Sequence, residues 1–102
     1  MNRIDLLESY VQEDPADPFN HYALCLELVK VDRLQDARAK FSYLVESHPH
    51  YLPTYFHYGK LLEHLGEPAI ACEIYQKGIR IAVMQNDRKT EAELRTALDF
   101  IE

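Results

Sequence analysis

Hydrophobic positions along this chain recur at helical spacing, and prolines and polar turn residues interrupt the pattern. Ile4, Leu7 and Val11 mark a first helix, which stops before Pro15 because proline cannot continue a helix. The later segments repeat this arrangement of apolar stretch and break, and six helices account for the whole pattern. The sequence therefore predicts an all-α fold without strands.

Proline and glycine give most of the helix boundaries. Pro18 follows Asp17, an oxygen acceptor suited to an N-cap, and the pair predicts the start of the second helix. Pro53 and Pro68 predict the starts of the fourth and fifth helices in the same way. Gly66 predicts the end of the fourth helix.

Two further helix starts are predicted from capping boxes. Asp32 is followed three residues later by Gln35, and Thr90 by Glu93. In a capping box the first side chain bonds a free amide of the first turn and the second reaches back. We therefore expect the third helix to open at Asp32 and the sixth at Thr90.

The chain also nearly repeats itself every 34 residues, in residue type more than in identity. Ala37 returns as Ala71 and Leu28 returns as Leu62. A period of this length is typical of stacked helical hairpins. Small, aromatic and bulky apolar positions each recur in register, so the two copies are expected to pack alike.

Two glycines lie inside predicted helices, where each costs about 1 kcal/mol relative to alanine. These are Gly59 and Gly78. The cost is tolerable where two helices cross closely, and we expect close crossings at both.

These glycines are part of a pattern that resembles the tetratricopeptide repeat family, whose units are antiparallel helix pairs. The second unit fits through Tyr55, Tyr58, Gly59, Leu62, Ala71, Tyr75 and Gly78. The first unit fits through Leu24, Cys25, Leu28, Ala37, Phe41 and Pro49. His21 and Leu44 depart from the pattern, because the family usually has a large aromatic and a small residue there. Val83 replaces the usual closing proline of the second unit.

The length and the absence of a linker predict one domain over residues 1–102, and the resemblance implies that it is a short α-solenoid of antiparallel helix hairpins. Its parts would be an N-terminal half-repeat helix at 3–13, a first repeat at 18–51 and a second repeat at 52–85. A C-terminal capping helix at 90–101 would follow a lengthened turn, because its apolar positions fall two residues late for the period.

The resemblance also implies that the first helix of each pair lines a concave groove that holds a peptide or protein segment. The groove positions would be Phe19, Tyr22, Leu26, Val29, Phe56, His57, Lys60, Glu63 and His64. Three interpretations stay open for the apolar strip at Tyr22, Leu26 and Val29. It could be core, part of a peptide groove, or the interface of a structural homodimer. Carboxylate clamping, which uses lysine and asparagine in this family, is not expected.

Charge and composition exclude several other partners. There are 17 acidic against 11 basic residues, a net charge of −6 that opposes nucleic-acid binding. No apolar run approaches the roughly 20 residues that span a bilayer, and no signal peptide is seen. We expect a cytoplasmic protein that binds neither membrane nor nucleic acid. Its cysteines, Cys25 and Cys72, are expected to be reduced.

The sequence gives little support for a metal site or for a catalytic site. His57 and His64 lie seven residues apart on one helix face, and His48 and His50 flank a proline. Zinc needs three or four converging ligands, and nothing in the sequence completes such a set. No phosphate-binding loop or nucleophile motif is present either. The sequence therefore predicts a non-catalytic interaction module without metal or cofactor.

Overall fold

A computed structural model describes residues 2–101, and within that range every regular element is a helix. The six helices are α1 Arg3–Glu13, α2 Pro18–Lys30, α3 Leu34–Ser47, α4 Pro53–His64, α5 Pro68–Met84 and α6 Arg88–Ile101. The all-α prediction and the number of helices are confirmed.

The proline-based starts are confirmed as well. The Asp17 carboxylate accepts a hydrogen bond of 2.9 Å from the amide of Phe19, which makes it the N-cap of α2. Helices α4 and α5 begin at Pro53 and Pro68. Proline suits these positions because its missing N–H would have no partner within the helix.

Both capping-box predictions are wrong. Asp32 has φ = 65° and lies outside α3, whose N-cap is Arg33 without a side-chain capping hydrogen bond. Asp87 precedes Thr90 and caps α6. Its carboxylate accepts hydrogen bonds of 3.0 Å from the amide and from the hydroxyl of Thr90. The acceptor nearest the free amides therefore caps α6, and α6 begins two residues before Thr90.

Asp32 instead closes α2, in a turn that occurs three times. Asp32, Gly66 and Asn86 have positive φ, and in each case the next residue donates a backbone hydrogen bond back into the preceding helix. This is the Schellman ending, in which a left-handed residue satisfies the last carbonyls of a helix. Asp32 and Gly66 are one 34-residue step apart.

The expected lengthening between the fifth and sixth helices lies in α5 and not in the turn. Three residues separate α5 from α6, as they separate α2 from α3 and α4 from α5. Helix α5 has 17 residues, whereas its counterpart α3 has 14. The extra helical residues follow from Val83, which stands where the family usually has a helix-breaking proline.

The chain forms two compact units, residues 1–51 and 52–102. In unit 1, α2 packs against both α1 and α3. Short turns make these helices antiparallel neighbours. The core of this unit consists of Leu7, His21, Leu24, Cys25, Leu28, Ala37, Phe41 and Leu44.

In unit 2, α5 packs against α4 and α6, which also touch each other. A Cβ added to Gly78 would lie 2.6 Å from the Cβ of Tyr55, and one added to Gly59 would overlap the ring of Tyr75. Both expected close crossings are confirmed. The helical glycines therefore let the tyrosines of the partner helix approach the backbone.

Candidate functional site

Unit 2 contains an open groove of about 370 Å³ between α4 and α6. Its walls come from one turn of α4 and two turns of α6. The lining residues are Phe56, Lys60, Ala92, Glu93, Thr96, Ala97 and Phe100. Small side chains on α6 leave the space open, and aromatic rings border it on both helices.

Phe100 is the most exposed large apolar residue of the described chain, at 85%. Its helix buries Leu94 and Ala97 against the rest of the unit, whereas Phe100, one turn after Ala97, lies at the exposed edge of that face and lines the groove. A phenylalanine ring left in water forgoes roughly 1.5–3 kcal/mol of burial. Exposed aromatic groups beside a groove are typical of interaction sites.

Lys60 provides the cation of this groove. Its ammonium lies 5.5 Å from the centroid of the Phe56 ring and 3.7 Å from a carboxylate oxygen of Glu63. A cation over an aromatic face is stabilised by the ring quadrupole. The contact holds the positive charge next to the apolar wall.

The Glu63 carboxylate has a second contact, with the α5 residue Tyr75. The Tyr75 hydroxyl donates a hydrogen bond to it at 2.5 Å. Burial of the ring raises the pKa of Tyr75, and the bond to Glu63 raises it further. The hydroxyl therefore stays a donor, and Glu63 ties α4 to α5.

The structure brings two of the sequence-predicted residues of unit 2, Phe56 and Lys60, to the same groove. His57 and His64 are exposed on α4 but do not line it, and neither does Glu63. The His57 ring meets the Phe56 ring edge to face, with centroids 5.5 Å apart.

The four predicted positions of unit 1 form a partly exposed strip on α2. Phe19 is 57% exposed and Val29 is exposed, whereas Tyr22 and Leu26 are half-buried. The Tyr22 ring packs edge to face against Tyr51, with centroids 5.6 Å apart, and burial raises the pKa of Tyr22. The strip is therefore neither fully buried in the core nor fully exposed to solvent.

Sequence reasoning missed the α6 side of the groove. Leu94, Leu98 and Ile101 defined the apolar face of the final helix, which was treated as a cap. Phe100 falls beside that face, and its ring is exposed. A phenylalanine outside the apolar spacing of an amphipathic helix was the signal that could have found it.

The role of His21 was missed too. This ring is 2% exposed, and its Nε2 atom donates to the carbonyl of Pro15 at 2.8 Å. Its Nδ1 atom accepts from the Lys40 ammonium at 3.4 Å. Burial is the main cause that lowers its pKa, so the ring is neutral near pH 7. A buried imidazole with both nitrogens bonded replaces the expected large aromatic.

The described residues show little reactive chemistry. Cys25 and Cys72 are free thiols, and burial raises the pKa of Cys25 to about 12, which keeps it protonated. Within residues 2–101 no three side chains of His, Cys, Asp or Glu are grouped to hold a metal ion. Nor is any helix of that range sufficiently long and apolar to span a membrane.

Comparison with solved structures gives the family. A tetratricopeptide repeat domain protein from Salinibacter ruber is similar in its solution structure, with 42% identity, coverage of 87% of this chain and 90% of that one, and a TM-score of 0.83. A crystal structure of a tetratricopeptide repeat domain protein from the same organism gives 40% identity, 83% and 94% coverage and a TM-score of 0.79.

A protein from Bordetella parapertussis shares the fold at 18% identity, with a TM-score of 0.82 over 99% of this chain and 88% of that one. Searches of protein-family models and of curated proteins give no match. The Salinibacter protein is nevertheless similar over most of both chains, at an identity that shows common descent. The resemblance of the two helix pairs is therefore confirmed, and the chain belongs to the tetratricopeptide repeat family.

Proposed function

We propose that this protein is a non-catalytic interaction module that binds a segment of a partner protein in the groove between α4 and α6. Tetratricopeptide repeat domains are interaction modules in general, which supports a protein partner. The observation that carries the proposal is the exposed Phe100 ring at the edge of a groove that Phe56 also lines.

The groove favours a segment with a bulky apolar side chain next to a hydrogen-bond acceptor. An apolar side chain lying over Ala97 would bury the rings of Phe56 and Phe100, and burial of apolar area is the main source of binding free energy. The Lys60 ammonium would donate to a carbonyl or carboxylate of the partner. The strip at Phe19, Tyr22, Leu26 and Val29 offers unit 1 a contact of its own.

Affinity isolation from native lysate tests the proposal, with the wild-type chain compared with Phe100→Asp. Met84→Asp is the matched control, because Met84 is also strongly exposed, at 68%, but belongs to α5 and does not line the groove. We expect a protein that is retained by the wild type and by Met84→Asp and lost by Phe100→Asp.

The retained protein is then titrated against the purified variants. Phe100→Asp should weaken its binding at least tenfold, which corresponds to about 1.4 kcal/mol. Lys60→Met should have a smaller effect, because one exposed charge contributes less than a buried ring. Equal binding by wild type and Phe100→Asp would refute the groove as the site.

A structural homodimer is the second candidate, and the exposure of Phe19 and Val29 on α2 favours it. Light scattering over a concentration series distinguishes the two. If the protein is a dimer through the strip, Leu26→Asp should dissociate it. If the groove proposal holds, the protein is a monomer, and Leu26→Asp should still bind the partner protein. Loss of helicity in Leu26→Asp, measured by circular dichroism, would show that this half-buried side chain is core.

A further inference from the structure

Unit 1 contains a second open cleft, of about 490 Å³, between α1 and α3. These two helices each pack on α2 but do not pack on each other. Its floor includes Leu24 and Leu28, which are four residues apart and so lie one helical turn from each other. The volume falls in the range of ligand-binding sites, roughly 300–1,000 Å³.

The two walls of this cleft carry opposite unpaired charges. On the α1 wall, Glu8 is exposed and has no ion pair in the described part of the chain. On the α3 wall, Arg33 and Asp36 neutralise each other at 2.9 Å. That pairing leaves Lys40, which has no carboxylate within ion-pair distance among residues 2–101.

The Lys40 ammonium is held in place before any partner arrives. It donates to Nδ1 of His21 at 3.4 Å and lies 5.2 Å from the centroid of the Tyr43 ring. An ammonium has three N–H donors, and the imidazole takes one of them. A half-buried cation that is already positioned loses little side-chain entropy when it meets a carboxylate.

We propose that the α1–α3 cleft is a second docking site, which takes an amphipathic helix of a partner protein with acidic residues along one flank and basic residues along the other. The acidic flank would meet Lys40 and the basic flank Glu8. The apolar face between them would lie over the floor at Leu24 and Leu28, which are already buried, and would cover the Tyr43 ring of the cleft lining, which is 41% exposed.

A helix fits this space better than an extended chain. The turns between α1, α2 and α3 are short, so α1 and α3 run in the same direction on either side of α2. Apolar side chains at helical spacing on the partner can interdigitate with floor residues of the same spacing. An extended segment would place alternate side chains away from the floor.

Three synthetic helical peptides with the same leucine face test the proposal. One has glutamate on one flank and lysine on the other, the second has glutamate on both flanks, and the third has lysine on both. Binding is measured by fluorescence anisotropy and located by amide chemical shifts. We expect the mixed peptide to bind most tightly, with shifts in α1 and α3.

Charge variants of the protein sharpen the test. Lys40→Met should weaken the mixed peptide roughly fivefold, whereas Lys77→Met, an exposed lysine of α5, should not. Lys40→Glu makes both walls acidic and should turn the preference to the all-lysine peptide. Adding Glu8→Lys to Lys40→Glu restores opposite walls, and the mixed peptide should be preferred again. Circular dichroism confirms that each variant is folded.

The proposal is overturned if the mixed peptide binds no better than the other two, or if the charge variants leave that order unchanged. Chemical shifts confined to α4 and α6 would overturn it too, as would self-association that blocks the cleft at the concentrations used. Phe100→Asp should leave mixed-peptide binding intact, so this site and the α4–α6 groove can fail independently.

Discussion

The helix pair α2–α3 of unit 1 and the pair α4–α5 of unit 2 reach similar packing with different side chains at positions 34 residues apart. In the second pair, the large ring of Tyr55 lies against Gly78. In the first pair the equivalent positions hold the smaller ring of His21 and the larger side chain of Leu44, and both are buried. A smaller aromatic residue on one helix goes with a larger residue on the other.

The neighbouring positions differ as well, although less in ring size. Gly59 lies against Tyr75 in the second pair, whereas Cys25 and Phe41 hold the equivalent places in the first. Volume-conserving exchanges in a core cost little, while single changes of size are costly. In the repeat, the two departures at His21 and Leu44 therefore go together: the smaller ring on α2 is matched by the larger side chain on α3.

The largest predicted effect comes from a change in only one member of such a pair. Gly78→Ala should destabilise the protein by roughly 1–3 kcal/mol although alanine is the better helix former. The new Cβ would lie 2.6 Å from the Cβ of Tyr55 and 3.0 Å from Leu94, so the helices must move apart. Urea unfolding measures the loss.

The control for this change is Lys77→Ala, one residue earlier on the exposed side of α5. It should alter the free energy of unfolding by less than about 0.5 kcal/mol. If Gly78→Ala were neutral or stabilising, the close approach of α4 and α5 would not be the reason for the glycine.

The second prediction concerns polarity instead of volume. Tyr75→Phe copies the first pair, where Phe41 stands, and it leaves the Glu63 carboxylate without its donor. The change should cost about 1.5 kcal/mol, a value typical of hydrogen bonds to charged groups. Chemical denaturation of Tyr75→Phe, compared with the wild type, checks it.

A change at Glu63, the residue that bonds the Tyr75 hydroxyl, should be coupled to the loss of that hydroxyl. The first pair has Val29 at the position equivalent to Glu63, so Phe41 is combined there with an apolar residue. Glu63→Val in the Tyr75→Phe background should therefore cost less than Glu63→Val alone. Additive losses in this double-mutant cycle would show that the two positions are not coupled.

The sequence predicted most of the fold because helix packing leaves a strong periodic signal. Pro18, Pro53 and Pro68 started helices where expected, and Gly59 and Gly78 predicted close crossings that the structure contains. These inferences depend on backbone properties that few other residues share. The capping boxes failed for two reasons: Asp32 closes α2 instead of opening α3, and Asp87, not Thr90, caps the start of α6.

The candidate sites were harder to predict because they depend on tertiary placement. Phe56 and Lys60 were expected in a groove, but the other wall comes from Phe100 on a helix treated as a cap. His21 was seen only as a departure from the family pattern. Its burial depends on Pro15 before its helix and on Lys40 19 residues later, which no local pattern connects.

A third prediction uses this histidine, which has no titratable counterpart at neutral pH in the second pair. Burial lowers the pKa of His21 in the folded protein, so the unfolded chain binds the proton more readily. Its stabilising contribution should be complete above the unfolded pKa of about 6.5. It should fall as the pH drops below that value.

His48, Asp17 and Lys40 are the other ionisable groups that act on this ring. His21→Gln keeps a donor for the Pro15 carbonyl and an acceptor for Lys40, but it does not titrate. The free energy of unfolding, measured from pH 8 to pH 5, should therefore depend less on pH in this variant than in the wild type. Equal slopes would assign the acid sensitivity to other groups.

The smallest predicted effect lies in the turns, where Asp32 and Gly66 occupy equivalent left-handed positions. Glycine adopts positive φ without the steric cost that a side chain brings, and aspartate pays only part of that cost. Asp32→Gly should therefore stabilise the protein by about 0.5 kcal/mol, and Gly66→Asp should destabilise it by a similar amount. Because both turns have the same hydrogen bonds, the double exchange should leave the melting temperature nearly unchanged. A large net change in calorimetry would mean that one aspartate has a contact specific to its own turn.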